Sequence, residues 1–398
     1  MIKISQVLLT LFPMIGLLGC GTEPEPSRKA GPVVKEENGL RKIVLLPPGP
    51  GNPRNSEGDF VLLEDGRILF VYSHFHDGRG GDFDREGGDF DPASLAARFS
   101  SDGGLTWTRE DTPVIPNEGD WNVMSVSLLR LQTGELAFFY SHTNSKEDTH
   151  PVMRLSTDEG RTWSDLIQII PDQEMGYYIL NNDRVVQLTS GRLVAPMAQH
   201  YGAGWKEWDT RAGHVMCYLS DDSGRTWRRS RTTLTPPTSA RGKPVVLQEP
   251  GVVELKDGRL MMFIRTDQNC QYLSYSPDQG ETWSRPVPSA IRSPQSPASI
   301  ERIPKTGDLL LVWNDNVQTG TPTAGKRTPF NVAVSKDEGK TWRNVKALED
   351  DPDGRYSYTA IEFVGDRVLL AHCAGSRAHG GGLTVTQITT FDVDWLYR

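Results

Sequence analysis

One eight-residue motif, Ser-x-Asp-x-Gly-x-Thr-Trp, occurs five times and constrains the fold more than any other feature of the sequence. Its Asp carboxylate is suited to accept backbone N–H groups across a tight turn, and its Gly supplies a position with positive φ. Its Trp offers a large ring to bury between neighbouring units. The motif therefore predicts a repeated structural turn between strands and indicates no chemistry by itself. The five copies are Ser100–Trp107, Ser156–Trp163, Ser220–Trp227, Ser276–Trp283 and Ser335–Trp342.

A second kind of turn, of the Asp-Gly-Arg type, occurs six times between apolar runs such as residues 252–255 and 260–264. Apolar runs on both sides of a Gly turn are typical of a β-hairpin. A hairpin and the strands around the following motif make four strands, repeated six times at roughly 45–65 residues. The sequence thus predicts an all-β fold, a six-bladed β-propeller with four-stranded antiparallel blades. The six turns are residues 65–67, 133–135, 190–192, 257–259, 306–308 and 365–367.

The last blade is one strand short, because only one strand-like run, residues 383–391, follows the sixth hairpin. Residues 43–46 near the start of the chain form an apolar run. We expect this N-terminal strand to complete the last blade and close the ring. Since the repeat continues without a break from about residue 41, residues 41–398 are predicted to form a single domain.

The composition argues against nucleic acid as a partner. The 398 residues carry a formal net charge of −8, the pI is near 5.6, and no basic tract is present. The sequence indicates no cofactor, and it leaves the oligomeric state open. Cys217, Cys270 and Cys373 show neither a disulfide framework nor a metal-ligand spacing, so we expect them to be buried as small hydrophobic residues.

The N-terminus has the features of an export signal. Lys3 precedes an apolar stretch, residues 7–18, that is too short for a membrane span, and residues 17–20 read Leu-Leu-Gly-Cys. This ending resembles the lipobox of bacterial lipoproteins, which implies a signal peptide over residues 1–20 and lipidation of Cys20. The protein would then be secreted and anchored by lipid alone in the cell envelope, at the outer membrane or the periplasmic face. Residues 21–40 would be a flexible tether. An ordinary secretory signal is the alternative.

The repeated motif resembles the Asp boxes of the sialidase (neuraminidase) superfamily of six-bladed propellers. The resemblance covers the chain from about residue 41 onward. It implies an exo-glycosidase that removes terminal sialic acid, or a similar acidic sugar, from a glycan with retention and without a metal. Asp boxes also occur in propellers that are not sialidases. The activity therefore has to be argued from other residues.

Three arginines match positions at which sialidases bind the substrate carboxylate. Glu249 opens the first strand of a predicted hairpin and Arg265 closes the second, where its burial would be costly without a carboxylate partner. Arg327 lies just before the strand that leads into the last Asp box. Arg54 departs from the aromatic-Arg-Ile-Pro pattern of the family. Three guanidinium groups around one ligand imply that the substrate carries a carboxylate and is recognised through it. A local ion pair at Arg265 and a solvated loop arginine at Arg54 are the alternatives.

The nucleophile of sialidases is a tyrosine, which a substrate carboxylate does not repel. The segment Arg355–Phe363 resembles the Tyr-Ser-Ser-Leu-Thr strand of the family and places Tyr358 at the nucleophile position. Tyr356 is the fallback. Because a free tyrosine has a pKa near 10, it needs an adjacent base, and Glu249 takes that role by analogy. A tyrosine that only packs at the blade edge is the alternative.

The general acid is expected in a Gly-rich loop, residues 74–91, that contains Asp77, Asp82, Asp84, Asp89 and Asp91. Asp91 is favoured because Pro92 and the following strand should hold it in place, and Asp89 is second. The same acidic loop is also consistent with flexible surface or a weak Ca²⁺ site.

Two further segments give weaker predictions. The aromatic loop at residues 200–208 contains His200, Trp205 and Trp208, which would stack on a sugar or cap a blade. Arg184, at the start of the third blade, is predicted to contact the substrate.

Two other functions stay open. One is a uronate-directed glycosidase or lyase that uses His74 or His76, and the other is a non-catalytic glycan-binding lipoprotein.

Overall fold

Each Asp box folds into a hydrogen-bonded turn between two strands. In the fourth box, Asp278 Oδ1 accepts the backbone N–H of Thr282 at 2.8 Å and Oδ2 accepts its hydroxyl at 2.7 Å. Gly280 has φ of +88°, and its carbonyl accepts the indole N–H of Trp283 at 3.0 Å. The Trp283 side chain is buried in the core. The other four boxes repeat the bond from the Thr backbone to the Asp carboxylate, so the motif has the structural role that its sequence predicts.

The structure is a computed structural model that describes residues 33–76, 88–202, 212–317, 320, 323–376 and 382–398. Several predictions fall outside these residues. They concern the signal peptide with Cys20, most of the proposed tether, Asp77, Asp82, Asp84, Trp205 and Trp208.

Almost all strands pair in antiparallel orientation, and apart from the two N-terminal strands the sheets follow the order of the chain. The described chain begins with β1 (Val33–Glu37) and β2 (Leu40–Leu46). A four-stranded sheet follows, made of β3 (Asn55–Leu62), β4 (Ile68–Phe75), β5 (Ala93–Ser100) and β6 (Thr112–Ile115). A nine-stranded sheet contains β7 (Asn122–Arg130), β8 (Leu136–Thr143), β9 (Thr149–Ser156), β10 (Ile167–Gln168), β11 (Gly176–Ile179), β12 (Val186–Gln187), β13 (Leu193–Gly202), β14 (His214–Ser220) and β15 (Arg228–Arg229).

Three more sets of strands complete the fold. One four-stranded sheet contains β16 (Gln248–Glu254), β17 (Leu260–Arg265), β18 (Cys270–Ser276) and β19 (Val287–Arg292). Another contains β20 (Ser299–Arg302), β21 (Leu309–Trp313), β22 (Phe330–Ser335) and β23 (Arg343–Glu349). The last strands, β24 (Gly354–Val364), β25 (Arg367–Ser376) and β26 (Thr386–Asp392), join β1 and β2 in a five-stranded sheet. In the described part of the chain, 3₁₀ helices span Asp172–Glu174 and Val393–Tyr397.

The sheet count differs from the prediction of six separate blades. The described strands form five sheets, of which four have the size of a single blade and one has nine strands. The reason is β11, which pairs with β13 in antiparallel orientation and touches β9 through the parallel pair Tyr177 and Thr149. This short strand joins one set of strands, β7 to β10, to a second set, β12 to β15, and so fuses them into one sheet.

The predicted N-terminal strand lies in the last sheet. β2 pairs with β26 in antiparallel orientation, with Ile43 opposite Ile388. β1 adds one more strand outside β2, so the prediction of a tether up to residue 40 is wrong from Val33 onward. The missed signal is Asn38-Gly39, where both residues have positive φ, as a two-residue hairpin requires. The exposed, charged strand β1 gives no apolar pattern of its own.

The hydrophobic core lies between neighbouring sheets. In one buried cluster, Val71 of β4 packs with Phe138 of β8, and in another Val194 of β13 packs with Met262 of β17. Cys217, Cys270 and Cys373 are buried and free, as the sequence predicts. Among the described residues, no helix has the length and hydropathy of a membrane span.

The first strands of four strand sets contain a β-bulge near their start. The register shifts at Ser56/Asp59, Met124/Ser127, Gln248/Gly251 and Ser357/Ala360. Inside each bulge lies a residue other than glycine with positive φ. Such a backbone conformation is uncommon, and bulges often redirect side chains near functional sites. The four residues are Glu57 (54°), Ser125 (60°), Glu249 (47°) and Tyr358 (57°).

We predict that Asp278→Ala lowers the free energy of unfolding by roughly 1–3 kcal/mol, because the turn donors lose their acceptor. Chemical denaturation of the purified protein measures this change. Asp165→Ala, at an exposed aspartate just after the second Asp box, is the matched control and should unfold like the wild type. Equal stability of Asp278→Ala and the wild type would show that the Asp boxes do not stabilise the fold.

Candidate functional site

Two bulge residues, Glu249 of β16 and Tyr358 of β24, meet in a hydrogen bond. The Tyr358 hydroxyl donates to Glu249 Oε1 at 3.2 Å. Arg265 Nη1 donates to the same oxygen, and the Glu249 side chain is only 7% exposed. The second oxygen, Oε2, is buried with no hydrogen-bond partner among the described residues. Glu249 therefore links a tyrosine and an arginine and keeps one acceptor atom unused.

The strand register explains why Arg265 reaches Glu249. Arg265 ends β17 opposite Gln248, the residue before Glu249, so the two charged residues lie on paired strands at the same end of the hairpin. The Arg265 side chain is 12% exposed, and the carboxylate partner that its burial requires is Glu249. Arg265 Nε is buried without a partner among the described residues.

The charges around Tyr358 define its protonation state. Burial and the Glu249 carboxylate raise the pKa of Tyr358 to about 12, although Arg327 and Arg265 act in the opposite direction. Burial opposes ionisation of Glu249, but Arg265 and Arg327 hold its pKa below the usual value. At neutral pH the pair is therefore a neutral tyrosine hydrogen-bonded to an ionised carboxylate.

Arg327 lies beside the same tyrosine. Its guanidinium carbon is 5.2 Å from the centre of the Tyr358 ring, and its Nη1 donates to Ser357 Oγ at 2.8 Å. The Arg327 side chain is buried. The structure thus brings Arg327, Arg265, Glu249 and Tyr358 together.

Tyr356, the fallback nucleophile, is part of the core instead. Its ring is 6% exposed and lies 5.9 Å from Phe330 and 6.2 Å from His372. In a regular strand, Tyr356 and Tyr358 would lie on the same face, because side chains alternate between the two faces. The bulge after Ser357 interrupts this alternation, so the two tyrosines have different surroundings. The contacts favour Tyr358 as the tyrosine of the site.

Arg54 is a buried residue with several acceptors, not a solvated loop arginine. Its Nε donates to Ser56 Oγ at 2.8 Å, and its Nη1 donates to Asp89 Oδ1 at 2.6 Å. Its Nη2 forms an ion pair with Glu57 Oε1 at 3.2 Å, and the guanidinium lies over Phe75 at 4.3 Å. Arg54 therefore connects two carboxylates, of which the sequence had singled out only Asp89.

The structure distinguishes the two candidate acids, Asp89 and Asp91. The Asp91 side chain is buried, and its Oδ2 accepts the backbone N–H of Gly88 at 2.7 Å, so it holds a local turn. The Asp89 side chain is 59% exposed and paired with Arg54. Desolvation opposes its ionisation, but Arg54, Arg355 and Arg327 together lower the pKa of Asp89. The preference for Asp91 is not supported, because the anchoring near Pro92 turns that side chain into the protein.

Electrostatic coupling connects the Arg54 group with the Glu249 group. The charge of Glu249 raises the pKa of Glu57, and the charge of Glu57 raises the pKa of Tyr358, in each case in addition to burial. Tyr177 of β11 is also close, because burial and then the charges of Asp89 and Glu57 raise its pKa. These residues belong to a single site at the starts of the first strands.

Glu57 and Tyr177 are the residues that the sequence reasoning missed. A signal for Glu57 exists in Glu57-Gly58, which parallels Glu249-Pro250-Gly251 at the other bulge. Gly58 follows Glu57 directly, and Gly251 follows Glu249 after one proline. A side chain at either glycine would overlap a phenylalanine of the paired strand. Tyr177 lies in the irregular region between two blades and has no comparable signal.

Arg184 serves packing between sheets. Its Nη2 donates to the Ala298 carbonyl at 2.8 Å, its Nη1 donates to Ser299 Oγ at 3.3 Å, and its guanidinium lies 5.7 Å from the Phe263 ring. It lines a cavity of about 700 Å³ at the opposite ends of the first strands. This cavity contains several acids and none of the predicted catalytic residues, so the predicted substrate contact of Arg184 is not supported. The acids are Asp59, Asp183, Glu301 and Glu362.

The remaining predicted residues have local partners. His200 is buried, His74 Nδ1 lies 3.8 Å from Asp111, and His76 Nε2 is 3.0 Å from Ser94 Oγ. Within the described ranges, no group of three or more His, Cys, Asp or Glu residues is placed to hold a metal ion.

Comparison with known proteins identifies the family. The model of the BNR repeat-like domain matches residues 117–369, which is more than half of the chain. The chain belongs to this BNR repeat-like family. Over 362 residues it is 26% identical to an anhydrosialidase from Macrobdella decora, covering 83% of this chain and 45% of the relative. Over 314 residues it is 23% identical to a sialidase from Bacteroides fragilis, covering 70% and 54%. The chain thus spans about half the length of the curated relatives it matches.

Solved structures support a propeller fold for this BNR-repeat protein. A Dyadobacter fermentans protein of unknown function superposes with a TM-score of 0.68 at 18% identity, covering 89% of this chain and 99% of that one. Trypanosoma rangeli sialidase, in complex with 2,3-difluorosialic acid as a covalent intermediate, gives a TM-score of 0.66 at 14% identity, covering 92% and 60%. At identities of 18% and 14%, these two structures show a shared fold and no more.

Proposed function

We propose that this BNR-repeat protein is an exo-glycosidase that hydrolyses terminal sialic acid, or a similar acidic sugar, from glycoconjugates with retention. The observation that carries the proposal is the hydrogen-bonded unit of Tyr358, Glu249 and Arg265. It combines a nucleophile, a base and a carboxylate-binding group within one buried contact.

We also count the nine-stranded sheet as two blades, because it contains two four-stranded antiparallel sets, and this makes six blades in total.

In the proposed reaction, Glu249 accepts the phenolic proton of Tyr358 while the phenolate oxygen attacks the anomeric carbon. The bond from that carbon to the leaving oxygen breaks, and a general acid gives this oxygen a proton. Water then cleaves the glycosyl–tyrosine bond and restores the hydroxyl of Tyr358. Two displacements at the same carbon give retention. The raised pKa of Tyr358 explains why an ionised base must be in direct contact with it.

The substrate carboxylate would bind to the arginines beside this pair. Arg265 has an unused Nε donor in the described structure, and Arg327 lies over the Tyr358 ring. A guanidinium binds a carboxylate through two parallel hydrogen bonds and stays charged at any working pH. Arg54 completes the set from the other side of the site.

We assign the general acid to Asp89, the exposed carboxylate of the pair Asp89 and Asp91. The ion pair with Arg54 keeps Asp89 ionised, which is the wrong state for an acid. A substrate carboxylate bound to Arg54 would weaken that ion pair and raise the pKa of Asp89. The acid would then become protonated where the leaving oxygen arrives.

We predict that Glu249→Gln, Tyr358→Phe and their double variant lose similar amounts of activity, because residues that act as one unit are far from additive. The measurement is kcat on a fluorogenic sialoside, in parallel with a fluorogenic glucuronide. Tyr356→Phe is the matched control, since it removes a hydroxyl two residues away, and it should stay close to wild type.

Each other outcome of this assay points to a different function. Turnover of the glucuronide but not of the sialoside would favour the uronate-directed enzyme. No turnover of either substrate by the wild type would favour the glycan-binding lipoprotein. Full activity of Tyr358→Phe would contradict the tyrosine mechanism.

We predict that Asp89→Asn lowers kcat/KM on sialyl-lactose by about 10²–10⁴-fold, the usual contribution of general acid catalysis. On a substrate with an acidic phenol as leaving group the loss should be much smaller, because that oxygen needs little protonation. Asp91→Asn is the comparison variant, and it should reduce stability without this dependence on the leaving group. The opposite result for the two variants would restore Asp91 as the acid.

A further inference from the structure

Acceptors of the protein surround the Arg54 guanidinium, two of them in hydrogen bonds and one in an ion pair. Ser56 accepts from Nε, Asp89 accepts from Nη1, and Glu57 lies 3.2 Å from Nη2. A substrate carboxylate that is to be held by this guanidinium must therefore compete with two carboxylates. Arg265 differs from Arg54, because its Nε is buried without a partner among the described residues.

The two competing carboxylates differ in their freedom to move. Asp89 lies outside the strands and its side chain is 59% exposed, so water can solvate its carboxylate when Arg54 takes another partner. The Glu57 side chain is 5% exposed and belongs to the bulge of β3, with φ of 54°. Its other oxygen, Oε2, is 3.4 Å from the Ser125 hydroxyl of the neighbouring bulge. Glu57 is thus fixed beside Arg54, and its competition ends only when it takes up a proton.

We propose that Glu57 controls access of the substrate carboxylate to Arg54. When ionised, Glu57 keeps Nη2 of Arg54 occupied and repels the incoming anion. When protonated, it releases Nη2 and loses its negative charge, so that Arg54 binds the substrate carboxylate. This inference rests on the proposed function, because it requires a substrate with a carboxylate.

The surroundings of Glu57 place this change in the neutral pH range. Burial raises the pKa of Glu57 most, Arg54 lowers it, and the charges of Asp89 and Glu249 raise it, which together bring the pKa to about 7. An anionic ligand favours the protonated form of Glu57. Binding should therefore be strongest below pH 7 and weaken as the pH rises above it. The titratable and charged groups that face Glu57 from the surrounding elements are Arg54, Asp89, Tyr177, Glu249, Tyr358 and Cys373.

The test is the dissociation constant of free sialic acid, measured by calorimetry between about pH 5.5 and about pH 8.5, where the group titrates. For the wild type we expect Kd to rise by up to about tenfold for each pH unit above the pKa of Glu57. In Glu57→Gln, which cannot ionise, Kd should change much less over the same range. Glu362→Gln is the matched control. It removes another glutamate whose pKa is raised to about 7, at the far cavity, and it should titrate like the wild type.

A second variant tests the same inference without changing any charge. Ser125→Ala removes a hydrogen bond that stabilises ionised Glu57, so the weakening of binding should begin at a higher pH than in the wild type. This variant keeps the test available if Glu57→Gln does not fold.

Two results would overturn the control by Glu57. One is the same pH dependence of Kd in Glu57→Gln and the wild type. The other is uniformly weaker binding of Glu57→Gln at every pH, which would mean that Glu57 only holds Arg54 in place. If the wild type binds no sialic acid at any pH, the proposed function itself fails, and this inference fails with it.

Discussion

The site depends on one backbone device, the positive-φ bulge near the start of the first strands. Glu57, Glu249 and Tyr358 each occupy this position in a different sheet, in strands that are mostly buried. The bulge turns one side chain inward without breaking the ladder around it. Paired strands on both sides of the bulge hold an otherwise unfavourable conformation, so the functional groups have little freedom to move.

Charge balance is the second constraint. Arg54 and Arg327 are buried and Arg265 is nearly so, which would be prohibitive without anions nearby. Glu249 neutralises Arg265, while Asp89 and Glu57 face Arg54. Removing any one carboxylate changes the state of its neighbours, as the linked pKa values of Glu57, Glu249 and Tyr358 indicate. A substrate carboxylate would enter this balance as one more anion, and this explains why binding and protonation should be coupled.

The sequence predicted the parts of this fold that short-range patterns encode. The Asp boxes, the hairpins and the N-terminal strand follow from turn residues and apolar runs, and Glu249, Arg265, Arg327 and Tyr358 meet in space. What the sequence did not predict depends on contacts distant along the chain. The fusion of two strand sets depends on β11, which pairs with β9 through a single residue pair. The choice between Asp89 and Asp91 depends on a loop turn, and the role of Glu57 depends on the bulge.

The most direct test of the central claim, a nucleophilic Tyr358 with Glu249 as its base, is covalent trapping. The protein would be incubated with an activated 2,3-difluorosialic acid derivative and digested for peptide mass spectrometry. We expect a glycosyl adduct on Tyr358, which Tyr358→Phe does not form. An adduct on Glu57, Glu249 or Asp89 would contradict it, because a carboxylate would then be the nucleophile.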